Sequence, residues 1–149
     1  MKRRKFLKTS AKFLCACTAS TTIGIIQSCT SNGPNSPNEE DDAELIIDLS
    51  NDEYTSLLNN GGSMIIESNV IDTRGLILIR NNNNISAFAN YCTHAGYSLN
   101  PFVDGVSVCT SGHGGRFNTS GEAISGPANS NLTQYQTELD GNQLRIFKT

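Results

Sequence analysis

GLILIRNNNNISAFAN, residues 75–90, places two short apolar runs on either side of four consecutive asparagines. Each run has the length of a strand, and neither has the 3.6-residue rhythm of a helix. Asparagine tolerates the positive φ that a tight reversal demands. The stretch therefore predicts an antiparallel hairpin. The same grammar recurs outward in both directions. ELIIDLS, SMIIES, VSVCT, YQTEL and QLRIF are further short runs, bounded by Asn59-Asn60-Gly61-Gly62, Asp104-Gly105 and Asp140-Gly141. Asp-Gly between such runs is a strong hairpin signal, so YQTELDGNQLRIF reads as a second hairpin. Many short strands with regular turns imply an all-β sandwich or partly open barrel. DEYTSLLN, residues 52–59, adds at most a helical turn or a short helix. No long helical pattern supports a parallel α/β fold.

Immediately after the first hairpin, residues 91–117 read YCTHAGYSLNPFVDGVSVCTSGHGGRF. They hold both histidines of the chain and two of its five cysteines, as two couples, Cys92/His94 and Cys109/His113. A single zinc ion is poorly served by ligands at i and i+2, because structural zinc sites space their ligands more widely around a tetrahedron. A binuclear iron–sulfide unit is served well. Each loop then sends its Cys to one iron and its His to the other.

These residues resemble the Rieske iron–sulfur proteins, in which two histidines replace two cysteines on one iron of a [2Fe–2S] cluster. The resemblance covers most of residues 44–149. It rests on Cys92-Thr93-His94-Ala95-Gly96, on Cys109 to His113 with Gly114, on Phe117-Asn118-x-x-Gly121 and on Gly126-Pro127-Ala128. It implies a Rieske-like antiparallel sandwich or partly open barrel with a cluster-binding subdomain of loops. Cys92 and Cys109 would hold the inner iron, His94 and His113 the outer, solvent-facing iron. Gly126, Pro127 and Ala128 would form a third, covering loop. The implied activity is one-electron transfer, leaving through the exposed imidazole edges, with an N–H that oxidised iron acidifies.

Two departures stand out. The family's second box is Cys-x-x-His, whereas Cys109-Thr110-Ser111-Gly112-His113 is one residue longer. Gly112 offers the backbone freedom to bulge. High-potential members also tie their loops with a disulfide, where this chain has Tyr97 and, near the insertion, Ser111. They place Ser and Tyr hydroxyls near the cluster sulfurs, where Gly115 and Phe117 stand here. Fewer hydrogen bonds to sulfur imply a low to middling potential within the Rieske range. A metal-free Rieske-like fold closed by a Cys92–Cys109 disulfide, with a binding or structural role, is the alternative, and a Cys₂His₂ zinc site a third.

The N-terminal segment carries a different message. Six of the eleven Lys and Arg residues fall within the first twelve positions, leaving five against 14 acidic residues in the remainder. An acidic body argues against nucleic acid as a partner. Residues 1–28 read as an export signal, with a basic start and a modestly apolar stretch too short to span a membrane well. Arg3-Arg4-Lys5-Phe6-Leu7-Lys8 resembles the twin-arginine motif. Ile26-Gln27-Ser28-Cys29 resembles a bacterial lipoprotein box, which makes Cys29 the lipidation site, with Cys15 and Cys17 leaving in the peptide. Residues 29–43 follow as a polar linker ending in Glu39-Glu40-Asp41-Asp42.

The expectation is thus a domain over residues 44–149 that carries a [2Fe–2S] cluster, exported and anchored by lipid on the periplasmic or outer face of a membrane. It has no catalytic residues of its own and serves a cytochrome or a larger oxidoreductase as its redox subunit or carrier.

Overall fold

A computed structural model describes residues 43–148. The export signal, Cys29 and all but the end of the linker lie outside the described residues. The order is β1 (Glu44–Asp48), a 3₁₀ helix (Asp52–Leu58), β2 (Ser63–Ile66), β3 (Leu76–Asn81), β4 (Asn84–Ala89), β5 (Val106–Val108), β6 (Arg116–Asn118), β7 (Ala123–Ser125), β8 (Gln134–Asp140) and β9 (Gln143–Phe147). All strand pairings among the described residues are antiparallel. One sheet has the order β1-β9-β8-β4-β3-β2 and curls into a half-barrel; a smaller sheet has the order β5-β6-β7. The all-β expectation holds.

Both predicted hairpins form. Asn81 pairs with Asn84, leaving a two-residue loop in which Asn82 has φ +55°. Asp140 pairs with Gln143, and Gly141 has φ +57°. A third tight turn sits at Asp104-Gly105, where both residues have positive φ and Val103 and Val106 exchange backbone hydrogen bonds of 3.0 Å. That is the pattern of a type I′ turn.

β3 explains the layering. Its run is continuously apolar because both of its faces are buried. Leu76 and Leu78 pack with Ile47, Leu49, Leu57, Ile71, Ile85, Ala87, Leu144 and Ile146 inside the half-barrel. Ile77 and Ile79 pack on the opposite face with Phe88, Leu99, Phe102, Phe117, Leu132, Cys92 and Cys109. Fully burying each such aliphatic or aromatic side chain contributes about 1.5–3 kcal/mol. The second layer fastens the small sheet and its loops to the large one. Cys92 and Cys109 are part of it.

Candidate metal centre

The first loop leaves β4 through Asn90, whose buried side-chain oxygen accepts a 2.8 Å hydrogen bond from the Leu99 amide. Between these two residues the chain closes on itself. The Cys92 amide donates to the Tyr97 carbonyl at 2.7 Å, and the Gly96 amide to the Cys92 carbonyl at 2.9 Å. Gly96 has φ +75°, and a Cβ there would lie 3.0 Å from the Tyr91 ring. This turn directs Cys92 into the core, 1% exposed, and leaves His94 at the surface.

The second loop is shaped likewise. The Cys109 amide donates to the Gly115 carbonyl at 2.9 Å, Cys109 is 3% exposed and His113 is exposed. The additional residue of this loop is absorbed at Gly112, which has φ +75° and nothing within 4 Å of a virtual Cβ. The bulge points into open space. Ser111, just before it, lies with its Oγ 3.1 Å from Cys109 Sγ and accepts from the His113 amide at 3.3 Å.

Small polar groups join the two loops. Leu99 and Cys109 form a β-bridge. The Ser98 carbonyl accepts from the Thr110 amide at 3.0 Å and from the Thr110 hydroxyl at 2.9 Å. The result is two pairs of donors at different depths. The Cys92 and Cys109 side chains lie side by side in the core, both as free thiols. The His94 and His113 rings, both on exposed residues, meet edge to face with 5.4 Å between centroids. Among the described residues, no three His, Cys, Asp or Glu side chains gather as a site for one metal ion.

The third loop, Gly126-Pro127-Ala128, closes one side. Gly126 has φ +79°, and a Cβ there would collide with the Gly114 carbonyl, so the two backbones run in direct contact. Thr93 donates to the Ser130 carbonyl at 2.8 Å and Ser125 to the Gly114 carbonyl at 3.4 Å. These bonds fasten the third loop to both others. Gly115 faces the thiols; a Cβ at that position would stand 3.4 Å from Cys92 Sγ and 3.5 Å from the Cys109 Cβ. Its lack of a side chain keeps that space open.

The thiols are electrostatically unequal. Burial pushes the Cys92 thiol up, and the adjacent Cys109 reinforces this. At Cys109 the burial penalty is outweighed by hydrogen bonds from Cys92 and Ser111, and the thiol lies below its ordinary value.

The four chemistry-bearing residues named from sequence thus meet as two pairs, Cys92 with Cys109 and His94 with His113, and the Gly-Pro-Ala loop packs against the second loop. The groups that hold the loops together were not named as such: Ser98 with Thr110, Thr93 with Ser130, and Ser111. Their partners lie 12 and 37 residues apart in the first two cases. Short polar residues of this kind read locally as turn chemistry.

The model of the Rieske [2Fe-2S] domain family matches residues 54–136. Among solved structures, the chain is similar to the ferredoxin of carbazole 1,9a-dioxygenase from Nocardioides aromaticivorans IC177, with 20% identity and TM-score 0.50 over 61% of this chain and 88% of that one. The quaternary ammonium Rieske monooxygenase CntA, in complex with gamma-butyrobetaine, gives 18% identity and TM-score 0.53 over 64% of this chain and 30% of that one. These two likenesses are of fold. The cyanobacterial plasma membrane Rieske protein PetC3 from Synechocystis PCC 6803 gives 28% identity and TM-score 0.48 over 57% of this chain and 85% of that one. No curated protein matches the chain.

Proposed function

From the premise that this chain belongs to the Rieske [2Fe–2S] domain family, we propose that it is a membrane-tethered one-electron carrier whose cluster is held by Cys92, Cys109, His94 and His113. The family binds a [2Fe–2S] cluster, and a Rieske-type electron-transfer role follows for this chain. The observation that carries the ligand assignment is the division of donors by depth: two adjacent thiols in the core and two imidazoles 5.4 Å apart at the surface. The residues fit the group. The donor set is the two-sulfur, two-nitrogen set of this cluster type, and Gly115 leaves room beside the thiols.

When bound, the cluster supplies one-electron oxidation and reduction. The chain supplies the setting. Cys92 and Cys109 anchor the inner end within an apolar layer formed by Leu99, Phe102, Phe117 and Leu132. His94 and His113 present the outer end to a partner. Pro127 and Ala128 shield one flank from water. The partner is a cytochrome or a larger oxidoreductase subunit. The reading includes an exported domain over residues 44–149, a linker over residues 29–43, and an acyl anchor on Cys29 facing the periplasm or cell exterior. The lipoprotein-like Ile26-Gln27-Ser28-Cys29 and the polar stretch after it support that part.

The test is direct. Protein purified without oxygen is expected to contain about two iron and two acid-labile sulfide per chain, with a rhombic EPR signal on reduction. Cys29→Ser is expected to move the protein from the membrane to the soluble fraction. Colourless, iron-free protein in which Cys92 and Cys109 are joined would instead establish the metal-free, disulfide-closed reading. That reading draws on the same adjacency of the thiols.

A further inference from the structure

The lengthened second loop brings a hydroxyl to a ligand sulfur. Ser111 Oγ lies 3.1 Å from Cys109 Sγ and 3.3 Å from the amide nitrogen of His113. The amide can only donate, so it occupies a lone pair of the serine oxygen. A thiolate that ligates iron can only accept. The serine proton is therefore left to point at the sulfur. One hydroxyl thus links the sulfur of one loop residue to the backbone of the other. Ser111 is partly shielded from water, and the bulge at Gly112 takes up the additional backbone beyond it.

We propose that Ser111 sets the reduction potential of this centre, by donating a hydrogen bond to Cys109 Sγ. The proposal rests on Cys109 and His113 holding the cluster. Reduction adds negative charge to the cluster and its sulfurs, so a hydroxyl donor aimed at one of them is worth more in the reduced state. That raises the potential. The hydroxyl positions expected from sequence are Gly115 and Phe117, which have no donor in their side chains. The inserted segment supplies one from another direction. On this proposal the low to middling potential expected from those two positions gains an upward contribution from Ser111.

The experiment is an EPR-monitored redox titration of the full, cluster-loaded protein and four variants: Ser111→Ala, Ser111→Thr, Ser111→Val and, as a control on the neighbouring bulge, Gly112→Ala. Threonine and valine have nearly the same shape and differ in the hydroxyl. EPR reads only molecules that carry the cluster, so partial loading does not blur the midpoint. Loss of the hydroxyl is expected to lower the equilibrium constant for reduction about tenfold, which is about 59 mV for a one-electron couple. Ser111→Ala and Ser111→Val should both shift down, with Ser111→Thr close to the parent. Equal midpoints for the threonine and valine variants would overturn the proposal while leaving the cluster assignment intact. A parent protein that carries no iron and sulfide would overturn both.

Discussion

The guanidinium of Arg74 lies 4.0 Å from the centre of the Tyr91 ring, one residue before Cys92. Tyr91 in turn packs against Gly96, at the far end of the first loop. Arg74 is held from behind by Asp72, at 3.3 Å, and Asp72 accepts a 2.9 Å hydrogen bond from Tyr135 on β8. A chain of contacts thus runs from the large sheet to the loop bearing Cys92 and His94. The stack needs a ring face and no hydroxyl. Tyr91→Phe should therefore leave stability and the potential unchanged. Tyr91→Leu should cost about 0.5–1 kcal/mol from the lost cation–π contact. It should also accelerate hydrogen exchange at the amides of Cys92 and Gly96. Urea unfolding and amide exchange measure the two effects.

Asp72 gives that chain a pH dependence. Burial alone would raise its carboxyl, but the Arg74 amide, the Tyr135 hydroxyl and the Arg74 guanidinium together hold it below the ordinary carboxylate value. A depressed folded-state pKa contributes stability that is complete above the unfolded value, about 3.9, and is lost as pH falls through the folded one. The acid limb of the stability curve below about pH 4 should flatten in Asp72→Asn. At neutral pH the same variant should lose about 1–3 kcal/mol, the cost of impaired buried hydrogen bonding. Tyr135 has the opposite sign: burial and the neighbouring carboxylate push its phenol up to about 12. Its absorbance should show no phenolate at pH 10, where an exposed tyrosine is half ionised.

Two glycines separate backbone strain from steric contact. Gly112 and Gly126 have φ +75° and +79°. At Gly112 a Cβ meets nothing, so Gly112→Ala should cost only the left-handed penalty, about 1–2 kcal/mol. At Gly126 the Cβ would strike the Gly114 carbonyl. Gly126→Ala must push the third loop away from the second. Its cost should exceed that of Gly112→Ala by at least about 1 kcal/mol, and its iron content should fall. Denaturant titration with iron analysis makes the comparison.

Removing the metal should expose a different chemistry. The side chains of Cys92 and Cys109 interact directly within the second apolar layer. Stripped of iron and treated with an oxidant such as diamide, the protein should lose both thiols together as an intramolecular disulfide. Thiol titration and the electrophoretic shift before and after reductant follow it. Cys92→Ser should leave Cys109 unable to close that bond.

The strands were legible because their signals are local. Seven apolar runs bounded by turn residues appear as β1 to β5, β8 and β9. β6 and β7 were not legible, since Arg116-Phe117-Asn118 and Ala123-Ile124-Ser125 each centre on one large apolar residue, whereas the equally short β5 shows the alternation Val106-Ser107-Val108. The 3₁₀ helix at Asp52–Leu58 meets the expectation of a short helical segment and buries Leu57. The Cys-His couples announced themselves through rarity and spacing. Ser111 did not. Its role depends on where Gly112 sends the backbone, and a sequence names the glycine without its direction. Arg74 and Tyr91 are 17 residues apart, and nothing in either flank signals that they stack.

β3 is shared by both apolar layers, and this ties the electron-carrying end to the rest of the fold. Peeling the small sheet away would leave Ile77, Ile79 and Phe88 bare to water on the very strands, β3 and β4, that line the half-barrel's interior. Melting of the loops and loss of the iron should therefore coincide with collapse of the whole domain, in a single calorimetric peak.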